Sequence, residues 1–137
     1  MREDLLHFVW KHRKLPGANL RTTSGDLLQI IRPGKQNRYS GPDFFDARLE
    51  IGGQYWAGNV EIHVRASDWY LHAHEGDANY MNVILHVVWD ADIPVYGVDQ
   101  SPIPTLELQS YIPEVMLRMY TNLFRKHRDR FINCERD

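Results

Sequence analysis

Hydrophobic positions along this chain change period several times, and each change marks an element. Between Arg2 and Lys14, Leu5, Leu6, Val9 and Trp10 fall at i, i+1, i+4 and i+5 with Phe8 beside them, which predicts a helix stopped by Pro16-Gly17. The turn-forming run Thr22-Thr23-Ser24-Gly25-Asp26 precedes a short apolar stretch, Leu27 to Ile31, ended by Pro33-Gly34, and a first strand fits there. A loop follows with Lys35, Gln36, Asn37, Arg38 and Tyr39. From Phe44 to Ile51 the pattern alternates, with Phe45, Ala47, Leu49 and Ile51 on one side and Asp46, Arg48 and Glu50 on the other. Gly52-Gly53 then turns the chain into Tyr55 to Arg65, completing the clearest hairpin in the sequence. On its second strand Glu61 and His63 share one side, and Val60, Ile62 and Val64 the other.

Beyond the hairpin, Ser67-Asp68-Trp69-Tyr70 can open a helical turn with Ser67 or Asp68 as its cap. Val83 to Trp89 is a nearly continuous apolar run, expected of a buried strand, and Thr105 to Leu108 reads as a last strand. Pro113 opens a long amphipathic helix carrying Val115, Met116, Met119, Tyr120, Leu123 and Phe124. The order is helix, three strands, short helix, two strands, helix. That is an α/β fold with a central mixed, mostly antiparallel sheet flanked by helices.

Composition narrows the setting. A chain of 137 residues with 43% hydrophobic and 25% charged residues supports one core, so residues 1–137 are expected to form a single domain. The end, Asn133 to Asp137, has no clear terminator, and the chain reads as the N-terminal part of a longer protein. The net charge of −2 gives no overall argument for a polyanionic partner, although it leaves room for a local basic groove. With Cys134 the sole cysteine, an intrachain disulfide and a cysteine-based zinc site are both excluded, and a reducing, cytoplasmic setting is the simplest reading. Acidic Glu3 and Asp4 at the start and the lack of a long apolar run predict neither a signal peptide nor a membrane span.

Candidate chemistry concentrates around the hairpin. Asp43 closes a Gly41-Pro42-Asp43 turn at the start of one strand, and Glu61-x-His63 lies on its neighbour, so the three side chains can converge on a divalent cation if the strands pair antiparallel. A Glu and a His on the solvated face of a hairpin would need no such function. A second cluster, Asp68, His72, His74, Asp77 and Tyr80, follows at once; in the plainer reading of this polar segment, Trp69 and Tyr80 pack on the sheet and the histidines face solvent. His86, inside an apolar strand, is expected to be hydrogen-bonded core, His7 to be solvated or capping, and the basic stretch Arg125 to Arg130 to be a solvated helix face. No Gly-x-Ser-x-Gly elbow and no glycine-rich phosphate loop is present.

The element order, with Pro42-Asp43 opening the second strand and Glu61-x-His63 on the third, resembles the PD-(D/E)XK nuclease superfamily over about the first ninety residues. The segments GPDFFDARL, WAGNVEIH and SDW also resemble an uncharacterised bacterial family, longer than this chain, known as a domain of unknown function. The nuclease resemblance implies a restriction-endonuclease-like core. It matches Asp43 to the metal-binding aspartate and Glu61 to the acid of the third-strand pair, with metal-assisted attack of water on a phosphodiester. His63 departs from it, because the superfamily carries lysine there; histidine can act as base or metal ligand but is not a permanent cation. Lys35 is then the candidate migrated lysine, Glu3 a helix-borne acid that completes the site, and His72 and Tyr80 supporting residues.

The expected function is therefore a Mg²⁺- or Mn²⁺-dependent nuclease or nucleic-acid-processing phosphodiesterase. Asp43, Glu61 and His63 would be both its metal ligands and its catalytic residues, and nucleic acid its partner. On this reading, alanine at Asp43 or Glu61 abolishes cleavage and leaves the fold intact. The alternative is a catalytically degenerate binding or assembly module of the same fold, contacting its partner through exposed Tyr39, Trp56 and Trp69.

Overall fold

The computed structural model describes residues 1–15, 19–71, 80 and 82–136, and of 130–136 the helical backbone. Helix α1, Glu3–Lys11, buries the stripe Leu5, Leu6, Val9 and Trp10. Strands β1, Leu20–Arg21, and β2, Leu27–Arg32, pair antiparallel. The segment predicted as loop contains a two-residue strand β3, Lys35–Gln36. The hairpin consists of β4, Phe44–Ile51, and β5, Gln54–Arg65. Then come α2, Asp68–Leu71, β6, Val83–Asp90, β7, Thr105–Glu107, a 3-10 turn at Leu108–Ser110, and α3, Glu114–Arg136.

The sheet runs β1-β2-β4-β5-β6-β7, with β3 also on β4. Pairing is antiparallel from β1 through β5 and parallel from β5 through β7. The fold is thus α/β with a mixed, mostly antiparallel sheet and helices. The parallel half explains the apolar run at Val83 to Trp89: β6 lies between two strands and is covered on both faces, so alternation is lost. One face packs Val60, Ile62, Leu85 and Val87 against α1 and α3; a smaller cluster joins Trp69 of α2 to Val88 and Val95.

Three expectations need correction. Phe45 is 40% exposed and Phe44 fully buried, the reverse of the alternation. The register steps from Phe44↔Val60 to Ala47↔Gly58, so β4 carries an extra residue, and Asp46 sits in this bulge with φ +59. The bulge flips the phase of the strand start and points Phe44 into the core. Trp69, expected on an exposed contact surface in the alternative reading, is fully buried, whereas Trp56 and Tyr39 are exposed. On α3, Tyr120 is buried and Met116, Leu117 and Phe124 pack on the core, but Val115, Met119 and Leu123 face outward.

Candidate functional site

Asp43 sits where β4 begins, on a turn held from several sides. Asn37 donates through Nδ2 to the carbonyls of Pro42 (2.9 Å) and Ser40 (3.0 Å), and its backbone N–H donates to the carbonyl of Asp43 (2.8 Å). Tyr80 donates its hydroxyl to the carbonyl of Gly41 at 3.0 Å, and its ring meets that of Trp69 edge-on. The Asp43 carboxylate turns back onto β5, where Oδ2 accepts the N–H of Ile62 at 2.7 Å. It therefore caps the β5 ladder where β4 has ended, a structural task in addition to any chemical one.

Glu61 is buried beside it, with only 3% of its surface exposed, and shares a hydrogen bond with the Asp43 carboxyl. Burial above all, then this hydrogen bond and the charges of Asp43 and Glu3, push the Glu61 carboxyl up to about 10. Near neutral pH Glu61 holds a proton, and the pair is one in which a cation could take that proton's place. Both hairpin residues of the E-x-H motif are buried, His63 to 2% exposure, so the reading that placed them on a solvated face does not hold.

Two residues of α1, one turn apart, approach Asp43 from the helix side. His7 Nε2 lies 3.7 Å from Glu3 Oε1 and 3.7 Å from Asp43 Oδ1, and among the described residues this buried atom has no hydrogen-bond partner. These separations are too long for hydrogen bonds. They are within the span of two ligands on one ion at about 2.0–2.2 Å each. Glu3, His7 and Asp43 form the group of potential metal ligands among the described residues, each offering one atom within 4.8 Å of the others. Asp43 and Glu3 offer oxygen donors to that group, with Glu61 hydrogen-bonded to Asp43 beside it; such oxygens could hold Mg²⁺ or Mn²⁺, and a nitrogen donor such as His7 suits Mn²⁺ better than Mg²⁺.

The other expected residues are distributed differently. His63 Nδ1 and His86 Nε2 are 2.7 Å apart in a buried pair, with the Trp69 ring edge-on to both. The expectation that His86 is hydrogen-bonded core is met, and His63 is turned to that pair and stands outside the Glu3–His7–Asp43 group. Lys35 is exposed on β3 opposite Phe45, and its neighbour Gln36 is the residue turned toward α1, accepting from Lys11 Nζ at 3.4 Å. His72, His74 and Asp77 lie outside the described residues. His7 and Asn37 are the residues sequence reasoning underrated. Helical phase put His7 beside Glu3, but nothing local revealed that α1 crosses the start of β4.

A family model described as Protein of unknown function (DUF2851) matches residues 3–137. The chain belongs to this family. The match runs through Glu3, His7, Asp43 and Glu61, so the whole candidate site lies within the family's domain. No curated protein and no solved structure matches the chain. Among the described residues, no helix is long and apolar enough to cross a membrane.

Proposed function

We propose that this protein is a divalent-metal-dependent nuclease, or a nucleic-acid-processing phosphodiesterase, of restriction-endonuclease-like fold. The observation that carries the reading is the meeting of Glu3, Asp43 and Glu61 from a helix, a strand start and a mid-strand position, with Glu61 holding a proton because it is buried beside Asp43. The element order supports it: α1, three antiparallel strands β2, β4 and β5, α2, then β6 parallel to β5.

Asp43 and Glu61 would hold Mg²⁺ or Mn²⁺, with Glu3 and His7 closing the shell from α1. Such an ion polarises a phosphoryl oxygen and lowers the pKa of bound water. The chain's own residues supply the rest. Glu61 would release its proton if the ion bound, and Asn37 and Tyr80 hold the Asp43 turn in place.

The test is cleavage of single- and double-stranded DNA and RNA with Mg²⁺ or Mn²⁺, comparing wild type with Asp43→Asn and Glu61→Gln. Metal-dependent cleavage lost in both variants is expected; cleavage unaffected by either would sink the assignment. The alternative, a degenerate binding module, is favoured by His63 standing where the superfamily has lysine and bonding to His86. It expects no metal affinity and no turnover.

A further inference from the structure

The molecule carries net charge −2, yet its cations are not evenly spread. Between α1, the loop after β3 and α3 lies a cleft of about 340 Å³. Lys11, Arg38 and Arg128 line it, one from each segment, and among the described residues none of the three is in an ion pair. The one acid on its wall, Asp4, is already paired with Arg2 at 2.8 Å. Phe8 and Phe124 also line the cleft, their ring centroids 5.7 Å apart, with the His12 and His127 rings tilted against Phe8. His7 belongs both to this cleft and to the Asp43 group, so the two features adjoin.

We infer that this cleft holds a segment of single-stranded nucleic acid, its phosphates on Lys11, Arg38 and Arg128 and a base against Phe8 and Phe124, and leads the strand to Asp43. Three unpaired cations around two aromatic rings is the combination that binds single strands without sequence preference: cations track the backbone and rings take the faces of bases. A duplex hides those faces, so the aromatic contact selects unpaired bases. The local field agrees. Burial, and then the charges of Lys11, His127 and Lys14, hold His12 below the usual histidine value. The inference rests on the proposed function for the meaning of the adjoining carboxylates, but strand binding does not require metal.

The experiment measures binding of fluorescent oligodeoxythymidylate, oligouridylate and a DNA duplex in EDTA, over a range of salt. The proteins compared are wild type, Lys11→Glu/Arg128→Glu, the separate loop variant Arg38→Glu, and Asp43→Asn. Wild type is expected to prefer single strands, with log affinity falling against log salt at a slope of roughly −2, from about 0.7 per phosphate over three contacts. The double reversal should weaken binding about tenfold or more and flatten the slope, Arg38→Glu should do the same in part, and Asp43→Asn, which removes a negative charge at the end of the strand's path, should bind at least as tightly as wild type. Equal binding by wild type and both cleft variants, a preference for duplex, or no binding by wild type would each overturn the inference. The deoxy and ribo strands show which sugar is taken. If strand binding holds while Mn²⁺ binding is absent, the metal-site reading fails and the cleft stands; the opposite pattern removes the cleft alone.

Discussion

Asp43 is at once a candidate ligand and the acceptor for the Ile62 N–H, and the two roles respond differently to substitution. Asp43→Ala leaves a partly buried amide without its partner, costing about 1–3 kcal/mol, whereas Asp43→Asn keeps an oxygen acceptor and should cost much less. Urea unfolding of the two variants checks this, and equal loss in both would deny the capping role. The simple expectation that alanine at Asp43 spares the fold therefore gives way. Glu61 carries a signature in pH. Its carboxyl binds a proton on folding wherever the unfolded side chain is ionised, because its value rises from 4.5 to about 10. Its contribution is fully present below the unfolded value and is lost as pH rises through that window. Glu61→Gln needs no such proton, so it should be more stable than wild type at pH 8, with the difference shrinking toward pH 5; a difference that is constant with pH would contradict the shared proton. Asp43 and Glu61 were legible in the sequence because a Pro-Asp turn and an acid-x-base strand are local patterns. His7 was not, because its role depends on where α1 crosses the sheet.

Among the elements, the hairpin was readable because period-two alternation on both sides of Gly52-Gly53 has few other solutions. Its bulge was not: Asp46 tolerates positive φ, leaves no mark in the pattern, and inverts Phe44 and Phe45. Parallel pairing of β5 with β6 was equally hidden, since it depends on a crossover through α2 and the polar segment after it. That pairing begins at a tight point. A Cβ on Gly58 would lie 2.5 Å from Ile84 Cγ2 and 2.8 Å from the carbonyl of Asn82, which accepts the Asn59 N–H. Gly58→Ala should therefore push β6 from β5 near Val83 and destabilise by about 1–3 kcal/mol, read from the urea midpoint. An unchanged midpoint would mean that the start of β6 gives way freely.

At the scale of the whole molecule, a nearly neutral chain separates its charges: carboxyl groups gather where α1 meets β4 and β5, and unpaired cations line the adjoining cleft between α1 and α3. Net charge concealed this. The basic stretch on α3, expected to be a solvated face, sends His127 and Arg128 to that cleft. On the proposed function, the carboxyl groups at Asp43 form a cation site in which metal would replace the proton on Glu61. Calorimetric titration of Mn²⁺ near neutral pH, in two buffers of different ionisation enthalpy, with Asp43→Asn and Glu61→Gln beside wild type, tests it most directly. Binding to wild type with release of a proton, weakened or lost in Asp43→Asn and without proton release in Glu61→Gln, is the expected result. No binding by wild type, or binding with no proton released and unchanged in both variants, would contradict it.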